Sequence, residues 1–415
     1  RPRYEPPTPE QTRHVLAAQR ELALSTVALA IARGWDEGRI AFPNASALPF
    51  RSEVEGVVGT LRGLATEDVA EHARRTEIAI ADADAAEASI APRLSPLAMM
   101  VDELGLSRIA RDILLVVAAP AVWGELARLY GVLANDEGRA LVDEQLVVTI
   151  LAERATPYDV AAALDPDAPL VRWGLVRVGM GVGRPFLPLG VDKVVLKLLR
   201  GGSPVSELAP TVRPRAANRT LAELRIRGSV KDKLVRDLER TRAPLRIAAR
   251  GRVGSGRHTL LAAIAATGGR ELGVIDASMI IRSEQQRTEL LRVALERAHV
   301  SGMLPCVDGL DLIPSDDIVA REQVREVLRR NPGPLAVRLG WEGQPPLDPG
   351  HVMVDLPTMT LSERIVSWQQ SLASAGLHVG DVSELADRYA VGPGVIQKVS
   401  TDVAASDAET RRHAG

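Results

Sequence analysis

The chain of 415 residues has one cysteine, Cys306, and only 3% aromatic residues. A single cysteine excludes a disulfide framework and a cysteine-based metal site, and it is typical of a reducing compartment. The formal net charge of −2 gives the chain no overall attraction to nucleic acid. We find no signal peptide and no apolar run long enough to span a membrane. We therefore expect a cytoplasmic protein without a membrane partner.

The apolar patterns divide the chain into several domains, as its length leads us to expect. Residues 1–92 carry helical spacing of apolar residues and are predicted as a helical region. Residues 93–202 carry helix patterns, including Val142–Glu153, and then a short hairpin pattern, an order typical of a winged helix. Residues 203–220, which are rich in proline and glycine, are predicted as a linker.

Strand and helix patterns alternate from Leu245 onward, which predicts a parallel sheet covered by helices on both faces. We assign residues 221–358 to this α/β core. Residues 359–415 have helix patterns only and are predicted to form a small lid. The predicted fold class is therefore multidomain: an all-α and winged-helix N-terminal half, then a three-layer parallel-sheet module of the P-loop type with a helical lid.

A glycine-rich run between a strand and a helix carries the strongest functional signal. It reads GRVGSGRHT from Gly251 to Thr259, close to the phosphate-loop pattern G-x-x-x-x-G-K-[ST]. Backbone N–H groups of such a loop surround an anion, and the helix N-terminus favours negative charge. The predicted phosphate-binding residues are Gly251, Gly254, Ser255, Gly256, Arg257, His258 and Thr259. An ordinary glycine-rich turn is the alternative interpretation.

Two positions of this loop depart from the pattern. Arg257 stands at the lysine position, and a planar guanidinium need not fit the pocket of a compact ammonium. His258 stands at the Ser/Thr position and has no hydroxyl for Mg²⁺. Thr259 follows one residue later, which on a helix turns its side chain by about 100°. Because backbone donors do not depend on side chains, we expect ATP binding to survive these changes better than hydrolysis.

A second motif follows the strand pattern Met303–Asp308. An ATPase of this type needs a carboxylate at the tip of the strand beside the phosphate loop, to help hold Mg²⁺, and then a glutamate that polarises water. Asp308 fits the first role, but Gly309 stands at the second position. The candidate catalytic residues are Asp308 and Asp311, and the candidate metal ligands are Thr259 and Asp308. Asp311 can orient water only if a turn brings it back, and a strand that merely ends in a turn is the alternative.

Other catalytic residues are few. The strand pattern Leu335–Leu339 runs into Gly340 without the polar residue expected near a γ-phosphate. The predicted lid segment Val391–Lys398 contains no arginine. Residues 213–257 contain 14 Lys or Arg against 4 Asp or Glu. This excess is compatible with a solvated helix face, with a basic collar around a nucleotide, or with a docking surface.

On these residues the chain resembles the AAA+ superfamily over residues 221–405. The resemblance rests on Gly251–Thr259, on Asp308-Gly309-Leu310-Asp311, and on the lid around Leu361–Trp368 and Gly392–Lys398. With Leu104-Gly105-Leu106-Ser107 and Ala168-Pro169-Leu170-Val171 added, the chain is similar to the winged-helix-containing ATPases of bacterial extracellular contractile injection systems. In that family a degenerate ATPase module often precedes an intact one. The resemblance implies that this chain is an N-terminal portion whose second module is absent.

The leading hypothesis is a degenerate ATP-binding module that serves assembly or regulation of a larger ATPase. ATP and Mg²⁺ are the expected cofactors. Expected partners are a second ATPase module or further copies of the chain, and a protein at the winged helix. The alternative is an active ATPase that remodels protein or nucleic-acid complexes, with the winged helix binding DNA. It is less favoured because the winged-helix ATPases of replication initiators have the reverse domain order. A structural module with an empty loop is a third hypothesis.

Overall fold

The computed structural model describes residues 7–40, 50–58, 68–91, 93–134, 142–181, 183–224, 226, 228–240, 244–281, 286–314, 316–378 and 380–413. The chain forms two compact units, one of residues 2–208 and one of residues 209–415. The division between the units falls within the segment predicted as a linker.

The first unit is mostly helical. Its helices are α1 (Pro9–Asp36), α2 (Arg51–Val58), α3 (Val69–Ser89), α4 (Pro96–Leu104), α5 (Arg108–Val122), α6 (Gly124–Leu133), α7 (Glu144–Ile150), α8 (Pro157–Ala163), α9 (Pro169–Arg172), α10 (Lys193–Leu199) and α11 (Val205–Leu208). Its strands are β1 (Val142–Asp143), β2 (Val176–Val178) and β3 (Pro188–Val191). They form an antiparallel sheet in the order β1-β3-β2.

The helix predicted over Val142–Glu153 is wrong at its start. The first two residues form β1, which pairs with β3, and α7 begins only at Glu144. Asp143 caps this helix, because its carboxylate accepts the N–H of Leu146 over 2.8 Å. An acidic residue at this position is a strong helix-start signal, so the boundary could have been read from the sequence.

Helix α1 forms part of the core of the first unit. Leu22 of α1 packs with Ala83 of α3 and Leu115 of α5 in one buried cluster. By length and composition alone, α1 is long and apolar enough to cross a membrane. This corrects the expectation that no segment of the chain is. This is weak evidence for a membrane span, because 67% of its most apolar stretch is buried within the protein. The core helix of a globular protein passes the same test.

The second unit contains the larger sheet. Its strands are β4 (Val212–Arg215), β5 (Arg246–Gly251), β6 (Glu271–Asp276), β7 (Met303–Asp308), β8 (Leu335–Leu339) and β9 (Val352–Leu356). Its helices are α12 (Gly228–Arg240), α13 (Arg257–Thr267), α14 (Ala277–Ile281), α15 (Arg287–Val300), α16 (Ile318–Arg330), α17 (Leu361–Ser374), α18 (Val382–Arg388) and α19 (Pro393–His413). The strand order is β4-β6-β7-β8-β5-β9.

The sheet is parallel except at one edge. Strand β4 pairs antiparallel with β6, with Val212 opposite Ile275, whereas the pairs among β5 to β9 are parallel. Strand β4 and helix α11 lie inside residues 203–220, so this predicted linker contains regular structure. Pro214 is tolerated in β4 because the strand lies at the sheet edge, where proline need not donate to a neighbour.

Strand β5 belongs to the buried core of the second unit. Ile247, Ala248 and Ala249 have no exposed surface, as expected for a parallel strand covered on both faces. Cys306 on β7 is fully buried too, and burial raises the pKa of its thiol, with the Asp308 charge adding to the shift. Helices α17, α18 and α19 have a small core of their own, built around Trp368.

Candidate functional site

The predicted site residues lie at the carboxyl ends of the parallel strands. The glycine-rich loop follows β5, Asp308 ends β7, and Arg338 lies near the end of β8. Open α/β sheets bind ligands along this edge. Strand β8 lies between β5 and β7, so the expectation that Asp308 ends the strand beside the loop is wrong. Strand order depends on tertiary pairing, which the spacing of the motifs does not encode.

The glycine-rich loop is curled. Gly254 and Gly256 have φ values of +80° and +87°, a region that side chains disfavour. The N–H of Ser255 donates to the carbonyl of Arg252 over 3.1 Å. Helix α13 then begins at Arg257 without a side-chain cap, so its first N–H groups have no acceptor within the helix. The hydroxyl of Ser255 is buried and has no hydrogen-bond partner.

Arg257 is held inside the protein and does not extend into solvent. Its side chain is buried, and Nη1 donates to the carbonyl of Leu339 at the end of β8. Burial lowers the pKa of Arg257, and the positive charge of Arg338 lowers it further, against the opposite effect of Asp308 and Asp311. The guanidinium is therefore fixed between the start of α13 and the end of β8.

Asp308 is surrounded by donors from its own chain. Nε of Arg338 donates to Oδ1 of Asp308, and Nη2 of the same guanidinium forms an ion pair with that oxygen. The N–H of Gly309 donates to the same oxygen over 2.6 Å. Nε2 of His258 lies 3.2 Å from the other oxygen, Oδ2, although its angle does not satisfy hydrogen-bond geometry. Burial raises the pKa of Asp308, but His258 and Arg338 outweigh this, and the pKa lies below its usual value.

Asp311 lies in a short 3-10 helix, Leu310–Leu312, directly after β7. Its Oδ2 accepts the N–H of Gly340 over 2.6 Å. A Cβ atom at Gly343 would lie 2.7 Å from its Oδ1. The turn that was required to bring Asp311 back towards the sheet edge is therefore present. Its carboxylate, however, holds the turn that follows β8.

Sequence reasoning missed Arg338. We expected the strand Leu335–Leu339 to contribute no polar side chain to the site. Arg338, however, lies on that strand and pairs with Asp308. A detectable signal was the single charged residue in an otherwise apolar strand, because buried charges are paired or functional. Its partner could not be identified, since the pair joins two strands that are 30 residues apart in sequence.

A cleft of about 1110 Å³ lies between the α/β core and the lid. At one end it is lined by residues of the loop and of the strand ends: Gly251, Ser255, Arg257, Asp311 and Arg338. The lining also contains apolar residues, Ile226, Val230, Met359, Val366 and Val391, and polar lid residues that include Ser362, Glu363 and Arg364. Among the described residues that line the cleft, we find none of Gly254, Gly256, His258, Thr259 or Asp308. The cleft therefore brings together only part of the predicted site.

The lid contacts the glycine-rich loop through backbone atoms. The N–H of Gly394 donates to the carbonyl of Gly254 over 3.2 Å. A Cβ atom at Gly392 would lie 2.3 Å from that carbonyl oxygen and 3.0 Å from the nitrogen of Ser255. Only glycine fits at this contact without movement of one backbone.

The predicted magnesium ligands do not form a metal site. In the described part of the chain, no group of three or more His, Cys, Asp or Glu could hold a metal ion. Mg²⁺ needs oxygen ligands in near-octahedral geometry. Asp308 is engaged by Arg338 and His258, and Thr259 does not line the cleft. The residues at this edge of the sheet therefore do not fit Mg²⁺.

Comparison with known proteins identifies one part of the chain. No curated protein matches the sequence. Residues 23–209 match the family described as "Winged helix domain, variant". This match begins within α1 and ends just before β4, so it spans the helices of the first unit and its three-stranded sheet. The match therefore supports a winged helix domain in the first half of the chain, and the second half contains a mixed sheet of six strands flanked by helices.

Proposed function

We propose that the second unit binds a nucleoside triphosphate, with ATP as the first candidate, and does not hydrolyse it. One observation carries this proposal. The same cleft is lined by residues of the glycine-rich loop, by arginines and by apolar side chains, and helix α13, which follows the loop, has no side-chain cap. A nucleotide combines the complementary groups, because its phosphates are anionic and its base is flat and largely apolar. The resemblance to the AAA+ superfamily leads to the same ligand.

The phosphate end of the cleft offers donors that lack acceptors. Arg257, the first residue of α13, lines the cleft, and its N–H has no acceptor within the helix, whose dipole favours an anion there. Ser255 adds a buried hydroxyl without a partner. A buried polar atom of this kind costs about 1–3 kcal/mol when it stays unpaired, so a ligand or water at this position stabilises the loop. Arg257 supplies a fixed positive charge beside these donors.

The apolar part of the cleft lining suits a base. Ile226 and Val230 border it on the core side, and Met359 and Val391 border it on the lid side. Ligand sites are typically clefts of several hundred Å³ with apolar walls and few polar groups. The volume of about 1110 Å³ is sufficient for a nucleotide.

Hydrolysis requires a group that orients water, and this unit lacks a free one among the described residues of the cleft. Gly309 has no side chain, and Asp311 accepts the N–H of Gly340. We therefore propose a regulatory or assembly role within a larger ATPase, in the cytoplasm. Further copies of this chain or a second ATPase module are the proposed partners.

The test is calorimetry of the full chain with ATP, together with a phosphate-release assay. We expect saturable binding without turnover. Turnover near one per second, which is within the ordinary enzyme range, would show that Asp311 or a neighbouring copy supplies the missing group. No heat and no competition with a fluorescent ATP analogue would exclude nucleotide binding and favour a module with an empty loop.

For the winged helix domain we propose a protein partner in preference to DNA. Three cations around its small sheet form ion pairs within the domain: Arg177 with Asp192, Arg184 with Glu144, and Lys193 with Glu207. Phosphate contacts need free Lys and Arg side chains.

Large apolar side chains lie exposed in the same domain. Tyr158, Met180 and Phe186 are 81%, 99% and 63% exposed, which suits a protein contact better than a phosphate backbone. The test is an electrophoretic shift assay with duplex DNA at low salt. A shift that weakens steeply as salt rises would overturn the preference for protein and revive the DNA-remodelling hypothesis.

A further inference from the structure

We infer that the cleft takes its nucleotide without a divalent cation, because Arg338 stands between the cleft and the carboxylate that would hold the metal. This inference rests on the proposed nucleotide binding. It states that the bound form of the ligand is the free triphosphate and not its magnesium complex.

The position of Arg338 is the first step. Its side chain lines the cleft, whereas Asp308 does not. Its Nε donates to Oδ1 of Asp308, and its Nη2 forms an ion pair with the same oxygen. A guanidinium has five N–H donors, so donors remain for a phosphate on the side that faces the cleft. The arginine thus links carboxylate and ligand, which is the role a metal ion has in a hydrolytic site.

The second carboxylate oxygen of Asp308 is also covered. Nε2 of His258 lies 3.2 Å from Oδ2, and this ring stands where the phosphate-loop pattern has a metal-binding hydroxyl. A cation would have to displace both the imidazole and the guanidinium. His258 of the loop and Arg338 of β8 therefore contact the same carboxylate, one at each oxygen.

Charge within the cleft is the third step. Four arginines line it against two carboxylates: Arg252, Arg257, Arg338 and Arg364 against Asp311 and Glu363. Both carboxylates already accept backbone N–H groups, from Gly340 and from Thr360. With Asp308, the partner of Arg338, also counted, the arginines outnumber the carboxylates by one. This excess offsets part of the charge of a polyphosphate, which is the task of Mg²⁺ in ordinary phosphoryl-transfer sites.

The test is a titration of the full chain with a fluorescent ATP analogue, in excess EDTA and in excess MgCl₂. We expect affinity in EDTA to equal or exceed affinity in MgCl₂. Binding that needs MgCl₂ would overturn this inference and leave the proposed nucleotide binding intact. Absence of binding in both conditions would overturn both proposals.

Two variants test whether Asp308 holds Arg338 or a metal ion. Asp308→Asn frees Arg338 and removes a negative charge, so we expect nucleotide affinity in EDTA to rise severalfold. Arg338→Gln should weaken it about tenfold, as loss of a charged hydrogen bond does. Arg329→Gln is the matched control, because Arg329 is exposed on α16 and pairs with Glu326.

Thermal unfolding of each variant shows whether it folds. If Arg338→Gln does not fold, Arg338→Lys keeps the charge at this position and should bind in EDTA. Loss of nucleotide affinity in MgCl₂ on Asp308→Asn, with the fold intact, would identify Asp308 as a metal ligand and refute the inference.

Discussion

The two ends of the six-stranded sheet use polar residues in opposite ways. At the amino ends, Nε2 of His299 lies 3.1 Å from Oδ1 of Asn331, and Nδ2 of Asn331 donates to the carbonyl of Gly333 over 2.9 Å. Arg246 donates to the carbonyls of both Asn331 and Gly333. At the carboxyl ends, Ser255 Oγ and His258 Nε2 are buried without a hydrogen-bond partner.

This difference shows how a stabilising network can be distinguished from a binding site. At the amino ends, His299, Asn331 and Arg246 have partners within the chain, so they contribute to folding without a ligand. The hydroxyl of Ser301, just before β7, is the exception among the described residues there, because it is buried without a partner. At the carboxyl ends, the hydroxyl of Ser255 lies beside the cleft without a partner, and a native protein rarely keeps such an atom without a reason. Variants at the carboxyl ends should therefore change binding, and variants at the amino ends should change stability.

The largest effect should follow from Arg257→Ala. We expect ATP affinity to fall about a hundredfold, or about 3 kcal/mol, because a fixed charge beside the phosphates is lost. Calorimetry measures this. Arg257→Lys restores the usual loop pattern and should retain binding, while Arg321→Ala on the exposed face of α16 is the neutral control. Unchanged affinity in Arg257→Ala would show that the ligand binds elsewhere.

The next effect concerns the amino ends and depends on pH. Burial lowers the pKa of His299 to about 3, with Arg270 adding to the shift. Below pH 6.5 the unfolded chain therefore binds more protons at this residue than the folded protein does. Stability is complete above pH 6.5 and is lost as the pH falls towards 3. Between pH 6.5 and 5 the free energy of unfolding should fall by about 2 kcal/mol.

Urea unfolding of the wild type and of His299→Gln at these two pH values measures this dependence. Glutamine does not titrate, so the variant should show a flatter pH profile, with ATP affinity at pH 7.5 unchanged. If the profile stays as steep, other groups cause the acid sensitivity. If ATP affinity falls with the fold intact, the two ends of the sheet are not functionally separate.

A smaller effect is expected at the contact between lid and loop. In Gly392→Ala the new methyl group would meet the carbonyl oxygen of Gly254 at 2.3 Å, so one backbone must move. We expect about tenfold weaker ATP binding with little loss of thermal stability. Gly380→Ala is the matched control, because a Cβ there meets nothing within 4 Å. Equal behaviour of the two variants would show that the lid does not shape the cleft.

The smallest effect should follow from Asp311→Asn. The amide oxygen can still accept the N–H of Gly340, so we expect a loss of less than about 1 kcal/mol in the free energy of unfolding. Phosphate release should stay at background in both proteins. A rate that is measurable in the wild type and absent from the variant would make Asp311 the residue that orients water, and would refute binding without turnover.

The sequence predicted much of the second unit from periodicity alone. The alternation of strands and helices from β5 to β9 and the three lid helices follow local patterns, and the structure contains them. The edge strand β4 escaped notice because proline and glycine dominate its surroundings. Strand β1 has only two residues, too few for a periodic pattern.

The site was less accessible to sequence reasoning than the fold. The curled loop followed from its glycines, whose positive φ values need that residue type. The pair of Arg338 with Asp308 did not, because it depends on β8 lying beside β7. The backbone contact of Gly392 with Gly254 likewise joins segments far apart in sequence.

The antiparallel strand at the sheet edge has a practical consequence for dissecting this protein. Strand β4 covers the outer edge of β6 with residues 212–215. A fragment cut at residue 221 would leave β6 with a row of unsatisfied backbone groups, which recruit other chains into aggregates. A fragment that begins at residue 209 retains β4 and is therefore the better choice for expressing the α/β half alone.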